Sequence, residues 1–318
     1  MIVTFTPNPS LDRTARVLGT IERGGVHRLT EITTEPGGKG VNIARAVHLA
    51  GRPVLAVVPA ASHDPLLTAL NVIGLPCRNV AVDSPVRTNL TLTEEDGTTT
   101  KFNEPGAPVT EQQVELLTDI LVGSARNARW VTLSGSLPPG APVDWYARMV
   151  RALRPLGVRI AVDTSDAPLR ALADSLDLAA PDLIKPNSDE LAQLVGGNGP
   201  ELEAAAAAGD LGPILDAARG LVGRGIGAAL VTLGGSGALL VTADGAWRAA
   251  APPVTVLSTV GAGDSSLAGY VLAECSGHTG AALLRNAVAY GSAAASLPGT
   301  TVPAPNQASP GDVEVVAI

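Results

Sequence analysis

The sequence is poor in cysteine and in positive charge. Its 318 residues include two cysteines, Cys77 and Cys275, which lie far apart and belong to no cluster of cysteine and histidine. This usage argues against a disulfide framework and against a cysteine-ligated metal centre. Lysine and arginine number 22 against 30 aspartates and glutamates, so the net charge is −8. An acidic chain of this kind is not expected to bind nucleic acid or an anionic membrane surface.

Long apolar runs and a leader-like start are also missing. No segment has the roughly 18 uninterrupted apolar residues of a membrane helix, and residues 1–7 carry no basic region. The four histidines are scattered, which gives no basis for a catalytic histidine. We therefore expect a soluble cytoplasmic protein, in which any phosphate is bound by locally placed cations and backbone amides.

Short runs of β-branched residues alternate with stretches rich in alanine and leucine. The runs predict strands at Ile2–Thr6, Val54–Val58, Arg129–Leu133, Arg159–Asp163, Ala228–Leu233, Ala238–Val241 and Thr255–Leu257. The stretches predict helices near Gly40–Ala50, Glu111–Ser124, Asp144–Leu153, Ser188–Val195, Pro213–Arg224, Ala262–Cys275 and Gly280–Leu297. This alternation indicates an α/β protein with a mostly parallel sheet covered by helices on both faces. Ligands of such sheets bind beyond the carboxyl ends of the strands.

Two segments, at about 13–34 and 86–103, break the alternation. The second contains two short strands around an Asp96-Gly97 turn, which is typical of a hairpin. We predict that both segments form a small β-sheet that covers the site as a lid. The alternative is that they add edge strands to the main sheet. Residues 196–212 are predicted to be a surface excursion.

The most specific motif is Ser258-Thr-Val-Gly-Ala-Gly-Asp264, between an apolar run and a helical stretch. Gly261, Ala262 and Gly263 are predicted to form the turn into that helix. There, unpaired N–H groups and the helix dipole attract an anion. Asp264 has two interpretations: it stabilises the helix N-terminus, or it is a general base for phosphoryl transfer beside the anion hole.

Two motifs in the first part of the chain are candidates for binding an anionic or hydroxyl-rich ligand. Gly37-Gly-Lys-Gly-Val-Asn42 is a glycine-rich turn before a helix, although it is not a Walker A sequence. Its residues Gly38, Lys39 and Asn42 could grip a ligand, or could form a tight turn with a solvated lysine. Asp12 follows the first strand and could accept hydrogen bonds from sugar hydroxyls, or form an ordinary Asx turn.

Two motifs in the second half of the chain have similar double interpretations. Lys185-Pro-Asn-Ser-Asp-Glu190 begins a helix, and Asn187 with Glu190 matches a capping box. The same two side chains could instead be directed at a hydrated Mg²⁺ near nucleotide phosphates. The glycine turn Thr232–Gly237 separates two apolar strands, as a plain hairpin or as a source of N–H groups for phosphates.

Polar residues on the predicted lid and after another strand complete the candidates. Arg87 and Lys101 lie on the two arms of the predicted hairpin. If both face inward, the lid carries two cations, and the arginine can bind a phosphate through two N–H groups. The alternative is a solvated face. The segment Ser134–Gly140 is a rigid polar turn that follows a strand.

In their identity and order, these motifs resemble those of the ribokinase-like, PfkB-type sugar kinases. The resemblance runs from Met1 to about Thr300 and rests on Asn8–Asp12, Gly37–Asn42, Arg87, Asn103–Gly106, Ser134–Pro138, Lys185–Glu190, Thr232–Gly237 and Ser258–Asp264. Within the family the sequence is most similar to the 1-phosphofructokinase and tagatose-6-phosphate kinase branch. The resemblance implies a single kinase domain over residues 1–318, with a Rossmann-like three-layer α/β/α core and a small β-sheet lid.

The resemblance also implies roles for the candidate residues, with ATP as co-substrate and Mg²⁺ as cofactor. Asp264 would be the base, and Gly261, Ala262 and Gly263 would form the anion hole. The residues implied for the sugar are Asp12, Gly38, Lys39 and Asn42, and those implied for its phosphate are Arg87, Lys101 and Ser136. The residues implied for ATP are Lys185, Asn187, Thr232, Gly234 and Gly237, and those implied for Mg²⁺ are Asn187 and Glu190.

The activity implied by the resemblance is ATP-dependent phosphorylation of fructose 1-phosphate at O6, which gives fructose 1,6-bisphosphate. A tagatose-6-phosphate kinase and a non-catalytic phosphosugar sensor are the alternatives. A dinucleotide-binding oxidoreductase is not favoured, because no Gly-x-Gly-x-x-Gly follows the first strand. The expected partners are a phosphorylated ketohexose and ATP, with no nucleic acid and no membrane. The lid face could also pair with a second copy to form a homodimer.

Overall fold

Strands and helices alternate through most of the chain. The computed structural model describes residues 1–318, apart from the surroundings of the Ala207 side chain. The strands are β1 (Ile2–Phe5), β2 (Ser10–Val17), β3 (Leu29–Gly37), β4 (Val54–Pro59), β5 (Cys77–Val80), β6 (Arg87–Thr93), β7 (Thr99–Asn103), β8 (Trp130–Ser134), β9 (Arg159–Asp163), β10 (Leu183–Ile184), β11 (Ala228–Thr232), β12 (Ala238–Thr242), β13 (Gly245–Ala249) and β14 (Val315–Ala317).

The helices are α1 (Lys39–Leu49), α2 (Pro65–Val72), α3 (Glu111–Ala125), α4 (Trp145–Leu153), α5 (Asp166–Asp174), α6 (Leu176–Ala179), α7 (Ser188–Val195), α8 (Gly199–Ala207), α9 (Gly212–Gly223), α10 (Ala262–Cys275) and α11 (Ala281–Ala295). The longest have 15 residues, and no described helix is long and apolar enough to cross a bilayer. The predicted surface excursion at 196–212 contains α8, whose Leu202 packs against the core.

Ten strands form one large sheet in the order β14-β13-β12-β11-β10-β9-β8-β1-β4-β5. Every neighbouring pair from β11 to β5 is parallel, and the pairs from β11 to β14 are antiparallel. The predicted α/β fold with a mostly parallel sheet is therefore confirmed. Central parallel strands are buried on both faces, which is why β1 and β9 consist almost entirely of buried residues.

A hydrophobic core covers each face of the large sheet, because alternate residues of a strand point to opposite sides. Val3 and Phe5 of β1 belong to one core, together with Leu117 of α3 and Met149 of α4. Ile2 belongs to the other core, to which α1, α10 and α11 contribute. The result is the three-layer α/β/α arrangement that the resemblance implies.

The remaining four strands form a second sheet, in the order β3-β2-β6-β7. The segments that break the alternation are therefore not edge strands of the large sheet. Strands β2 and β6 pair in parallel, with Ser10 opposite Arg87 and Asp12 opposite Asn89. This pairing brings polar residues that are distant in the sequence to one face of the second sheet.

The strand predicted at Thr255–Leu257 is wrong. Residues 250–260 form an irregular connection to α10, and the N–H groups of Leu257 and Ser258 donate to the carbonyl of Ala295 at 2.9 and 3.2 Å. The side chains of Val256 and Leu257 are largely exposed. This apolar run does not join a sheet, because its backbone is bound to the end of α11.

Candidate active site

A cavity of about 720 Å³ lies at the carboxyl ends of the parallel strands, between the large sheet and the second sheet. The starts of α1, α7 and α10 contribute to it, together with the turn after β11. All but two of the predicted site residues line it: Asp12, Gly38, Lys39, Asn42, Arg87, Lys185, Asn187, Glu190, Thr232, Gly234, Gly237, Gly261, Ala262, Gly263 and Asp264.

The two exceptions are Lys101 and Ser136, which do not line the cavity. Lys101 is exposed on the outer strand β7, directly opposite Thr91. Thr91 shares a face with Asn89 but lies two residues further along β6, so Lys101 is on the cavity side of the sheet without lining the cavity. Ser136 is exposed after β8 and accepts a hydrogen bond from Asn8 at 3.3 Å. The structure does not bring either residue to the implied sugar-phosphate site.

Asp264 lies in the first turn of α10 and is buried. The turn before it depends on Gly261, whose φ of 78° lies in the left-handed region that glycine adopts without strain. The N–H groups of Gly263 and Asp264 belong to the first helical turn and make no backbone hydrogen bond among the described residues. Because this helix start faces the cavity, it can bind an anion there.

The Asp264 carboxylate is held by Asn42, whose Nδ2 donates to Oδ2 at 2.9 Å. Burial raises the pKa of Asp264 to about 6; the Lys39 ammonium opposes the rise, and the Asp163 carboxylate adds to it. A carboxylate with this pKa is ionised at neutral pH and is a better proton acceptor than an ordinary aspartate. These properties suit a general base.

Two lysines of the cavity wall converge on the buried carboxylate of Asp163, at the end of β9. Lys39 Nζ lies 2.9 Å from Oδ1, and Lys185 Nζ lies 3.3 Å from Oδ2. Burial disfavours the charge on Asp163, but the two ammonium groups outweigh it and hold the pKa of Asp163 below its ordinary value. Asp163 was not among the site residues predicted from the sequence. It could have been identified from its position at the end of a predicted strand, which is the feature that makes Asp12 a candidate.

Asp12 lies in β2 with its carboxylate against the glycine-rich turn. Oδ1 accepts hydrogen bonds from the Ser10 hydroxyl at 2.7 Å and from Asn89 Nδ2 at 2.9 Å. Burial raises the pKa of Asp12, although these two hydrogen bonds oppose the rise. A Cβ at Gly37 would overlap the Asp12 carboxylate, which explains the glycine. Asn89 also lines the cavity and was missed, because only the pairing of β2 with β6 places it beside Asp12.

Arg87 lines the cavity from β6 and has unused hydrogen-bond donors. Its Nη1 donates to the carbonyl of Glu104 at 3.3 Å, and its buried Nε has no partner among the described residues. Burial lowers the pKa of Arg87, and the neighbouring Asp12 carboxylate opposes this. Guanidinium groups with free N–H donors bind phosphate oxygens well.

The capping box predicted at the start of α7 is present. Asn187 Oδ1 accepts from the N–H of Glu190 at 2.8 Å, and Glu190 Oε2 accepts from the N–H of Asn187 at 2.9 Å. Burial and the Asp163 carboxylate raise the pKa of Glu190. Among the described residues, no group of three or more His, Cys, Asp or Glu could hold a metal. The side chains of Asn187 and Glu190 offer oxygen atoms, the ligand type that Mg²⁺ takes in proteins.

The glycine turn after β11 forms the predicted hairpin, and its residues also line the cavity. Strands β11 and β12 are antiparallel, and residues 234–236 form one 3₁₀ turn between them. Gly237 has a φ of 96°, and a Cβ there would overlap the carbonyl of Ala249. Next to this turn the cavity wall becomes apolar; its residues there include Pro252, Val254, Val256, Val288 and Ala295.

The chain is similar to known proteins over nearly its whole length. The model of the family described as pfkB family carbohydrate kinase matches residues 6–307. The 1-phosphofructokinase of Xanthomonas campestris pv. campestris is 34% identical over 277 residues, which are 85% of this chain and 83% of the relative. The ATP-dependent 6-phosphofructokinase isozyme 2 of Mycobacterium tuberculosis is 32% identical over 94% of this chain and 85% of the relative. The crystal structure of phosphofructokinase-2 from Escherichia coli with substrates and products has a TM-score of 0.86 and 31% identity, covering 96% of both chains.

Proposed function

This chain belongs to the pfkB family of carbohydrate kinases, and we propose that it transfers the γ-phosphoryl group of ATP to O6 of fructose 1-phosphate, giving fructose 1,6-bisphosphate. Membership of the family makes it a sugar kinase, with ATP as co-substrate. The proposed acceptor is suggested by the name of the Xanthomonas relative. The observation that carries the proposal is the buried, raised-pKa Asp264 in the first turn of α10, hydrogen-bonded to Asn42.

In the proposed reaction Asp264 accepts the proton of the O6 hydroxyl as O6 bonds to the γ-phosphorus. The bond from that phosphorus to the oxygen it shares with the β-phosphate breaks, and ADP leaves. Phosphoryl transfer depends mainly on positioning and charge stabilisation. The turn formed by Gly261, Ala262 and Gly263 supplies the positive helix N-terminus for the transferred group.

The sugar phosphate is proposed to bind at the end of the cavity next to the second sheet. The Asp12 carboxylate and the Gly38 turn would contact hydroxyls, and Arg87 would bind the existing phosphate through its unused donors. The second sheet would act as a lid that excludes water, since water would otherwise compete as acceptor. A contribution from Lys101 would require this sheet to move toward the cavity.

ATP is proposed to bind at the opposite end of the cavity. The apolar wall near Val254 and Val288 suits a nucleobase, and the glycine turn of residues 234–237 suits the phosphates. Mg²⁺ would lie near Asn187 and Glu190, where it would neutralise charge on the nucleotide phosphates. The raised pKa of Glu190 is consistent with a carboxylate placed for a cationic ligand.

A second candidate acceptor is fructose 6-phosphate, because the Mycobacterium relative is named a 6-phosphofructokinase. The deciding experiment measures ADP release with Mg²⁺-ATP on fructose 1-phosphate, fructose 6-phosphate, tagatose 6-phosphate and free fructose. The proposal expects the highest kcat/KM for fructose 1-phosphate. A higher value for fructose 6-phosphate or tagatose 6-phosphate would reassign the acceptor. Tight binding without turnover of any of them would point to a phosphosugar sensor.

We also propose that two copies pair through the outer face of the second sheet. That face carries the cross-strand pair Leu90 and Phe102, and Phe102 is 56% exposed. Leu29 and Arg13 border the same depression. An exposed apolar patch of this kind favours association. Light scattering should find a dimer for the native chain and a monomer for Phe102→Glu; a native monomer would contradict the pairing.

A further inference from the structure

The sequence has 19 arginines but only three lysines, Lys39, Lys101 and Lys185. Two of these three line the cavity and meet at one buried carboxylate behind its wall. We propose that Asp163 is a positioning residue for phosphoryl transfer, which holds the ammonium groups of Lys39 and Lys185 beside Asp264 without touching either substrate. This inference rests on the kinase function proposed above.

The contacts place Asp163 behind the two lysines. Its side chain is fully buried and does not line the cavity, whereas both lysines do. Each carboxylate oxygen serves a different lysine, Oδ1 at 2.9 Å and Oδ2 at 3.3 Å. Asp163 therefore does not contact a ligand in the cavity, and its ion pairs are with the two lysines.

The lysines lie close to the reacting groups of the proposed mechanism. A Cβ on Gly263 would be 3.0 Å from Lys185 Nζ, so this ammonium group adjoins the first turn of α10. Lys39 begins α1, three residues before Asn42, which binds Asp264. Burial disfavours the charge on Lys39, but the carboxylates of Asp163 and Asp264 outweigh it and raise the pKa of Lys39.

In this arrangement the carboxylates of Asp163 and Asp264 have different roles. Asp163 compensates one of the two positive charges, so the lysine pair retains net positive charge for a phosphoryl group. For Lys39, Asp264 is the next strongest carboxylate partner after Asp163, so a neutral Asp163 would leave Asp264 as its main partner. Pairing with Asp264 would lower the basicity of the base and neutralise the charge intended for the phosphoryl group. Asp163 therefore leaves the lysine charges free to act on the phosphoryl group, and it preserves the basicity of Asp264.

The kinetic test is Asp163→Asn, with Asp182→Asn as the matched control. Asp182 also forms an ion pair, with Arg154 at 2.8 Å, but lies outside the cavity lining. We expect Asp163→Asn to lower kcat by about 100-fold or more while KM for the sugar phosphate changes by less than about threefold. Asp182→Asn should keep kcat near that of the native chain. A kcat within about threefold of native for Asp163→Asn would overturn the proposal.

The pH profile separates positioning from mere structural support. Asp264 is faced by Lys39 and Asn42 of α1, by Asp163 at the end of β9, and by Lys185 directly after β10. In Asp163→Asn the lysines remain, and the repulsion from the second carboxylate is gone. The acid limb of kcat/KM should therefore move to lower pH. An acid limb that stays in place, with only thermal stability reduced, would make Asp163 a structural ion pair and overturn the proposal.

A third readout does not depend on the reaction. The native chain and Asp163→Asn are treated with an amine-acylating reagent at pH 8.5, and labelling of each lysine is read by mass spectrometry. Loss of the carboxylate should raise labelling of Lys39 and Lys185 several-fold, while exposed Lys101 is an internal reference. Unchanged labelling would overturn the proposal. If the native chain phosphorylates no sugar, the proposed function fails, yet labelling still reports whether Asp163 controls the lysines.

A second variant covers the case in which Asp163→Asn does not fold, since that substitution leaves the two lysine charges without their shared carboxylate. Asp163→Glu keeps the charge but lengthens the side chain by one methylene, which displaces the ammonium groups. We expect a folded protein with kcat reduced about tenfold or more and a sugar-phosphate KM near native. A native kcat in Asp163→Glu would overturn the positioning role.

Discussion

Asn42 donates a hydrogen bond of 2.9 Å to Asp264, although 222 positions separate the two residues in the sequence. Asn42 lies on α1 after the glycine-rich turn, and Asp264 lies in the first turn of α10. Helices α1 and α10 pack against each other, which fixes this bond. The bond joins the proposed sugar end of the cavity to the proposed phosphoryl end, where a base must lie to serve both substrates.

Removal of this hydrogen bond should move the pH profile. The bond stabilises the ionised form of Asp264, so Asn42→Ala should raise the pKa of Asp264 above its present value of about 6. A hydrogen bond to a charged group contributes about 1.5–3 kcal/mol, so the acid limb of kcat/KM should shift upward by about one to two pH units. Asn286→Ala, which removes a hydrogen bond within α11, is the control. An unmoved limb in Asn42→Ala would show that Asp264 does not control activity.

The buried charge of Asp264 should reduce stability at neutral pH. Its pKa is about 6 in the folded chain against an ordinary 3.8, so the folded state binds the proton more tightly than the unfolded state. Stability therefore falls as pH rises from about 4 to 6, and the loss is complete above that range. Two pKa units correspond to at most about 3 kcal/mol.

Asp264→Asn should accordingly raise the Tm at pH 7.5, and the gain should shrink toward pH 4. Thermal unfolding of both proteins at the two pH values measures this difference. Asp163→Asn is a useful contrast, because it removes the carboxylate that compensates two lysines and should lower the Tm. An Asp264→Asn variant less stable than the native chain at pH 7.5 would contradict the pKa argument.

Arg87 should act on the sugar phosphate and not on ATP. Its unused donors face the cavity beside Asp12, and loss of a charge-assisted contact costs about 1.5–3 kcal/mol. Arg87→Ala should therefore raise KM for the phosphosugar by about 10–100-fold and leave KM for ATP nearly unchanged. Arg16→Ala is a matched control, since Arg16 is an exposed arginine of the same sheet, paired with Glu31. Equal increases in KM for the phosphosugar and for ATP would show that Arg87 is not part of the sugar-phosphate site.

A methyl group at Gly37 should weaken sugar-phosphate binding, because it would disturb the end of the cavity that contains Asp12. A Cβ there would overlap the Asp12 carboxylate, so Asp12 or the turn must shift. Gly37→Ala should raise KM for the phosphosugar at least about tenfold and destabilise the fold by about 1–3 kcal/mol. Gly123→Ala, a helical position with open space around it, should leave both unchanged or slightly raise stability. A Gly37→Ala variant with native KM would show that Asp12 is not a sugar contact.

Elements with strong local signals could be predicted well from the sequence. Helix α7 was predicted with the correct bounds, because Asn187 and Glu190 form the capping box that their spacing indicates. Helix α10 was also predicted correctly, since Gly261 provides the turn before it. Strands β1 and β9 are short runs with an apolar, mostly β-branched centre, and such runs indicate buried parallel strands.

Features set by tertiary pairing could not be predicted in this way. The Thr255–Leu257 run has strand-like composition, yet its backbone bonds to the end of α11. Asn89 becomes a cavity residue only through the parallel pairing of β2 with β6. Lys101 is displaced from the cavity by the register of β7, which the hairpin turn alone does not reveal. Asp163 was visible as a strand-end carboxylate, but its two lysine partners come from other parts of the chain.

The most direct measurement of the central claim compares kcat for ATP-dependent phosphorylation of fructose 1-phosphate in the native chain and in Asp264→Asn. Binding of both substrates is measured in the same variant. The account predicts native-like binding with kcat lower by about 10²–10⁴-fold, because the acceptor proton then has no base. An Asp264→Asn variant that binds both substrates and turns over at the native rate would contradict the account.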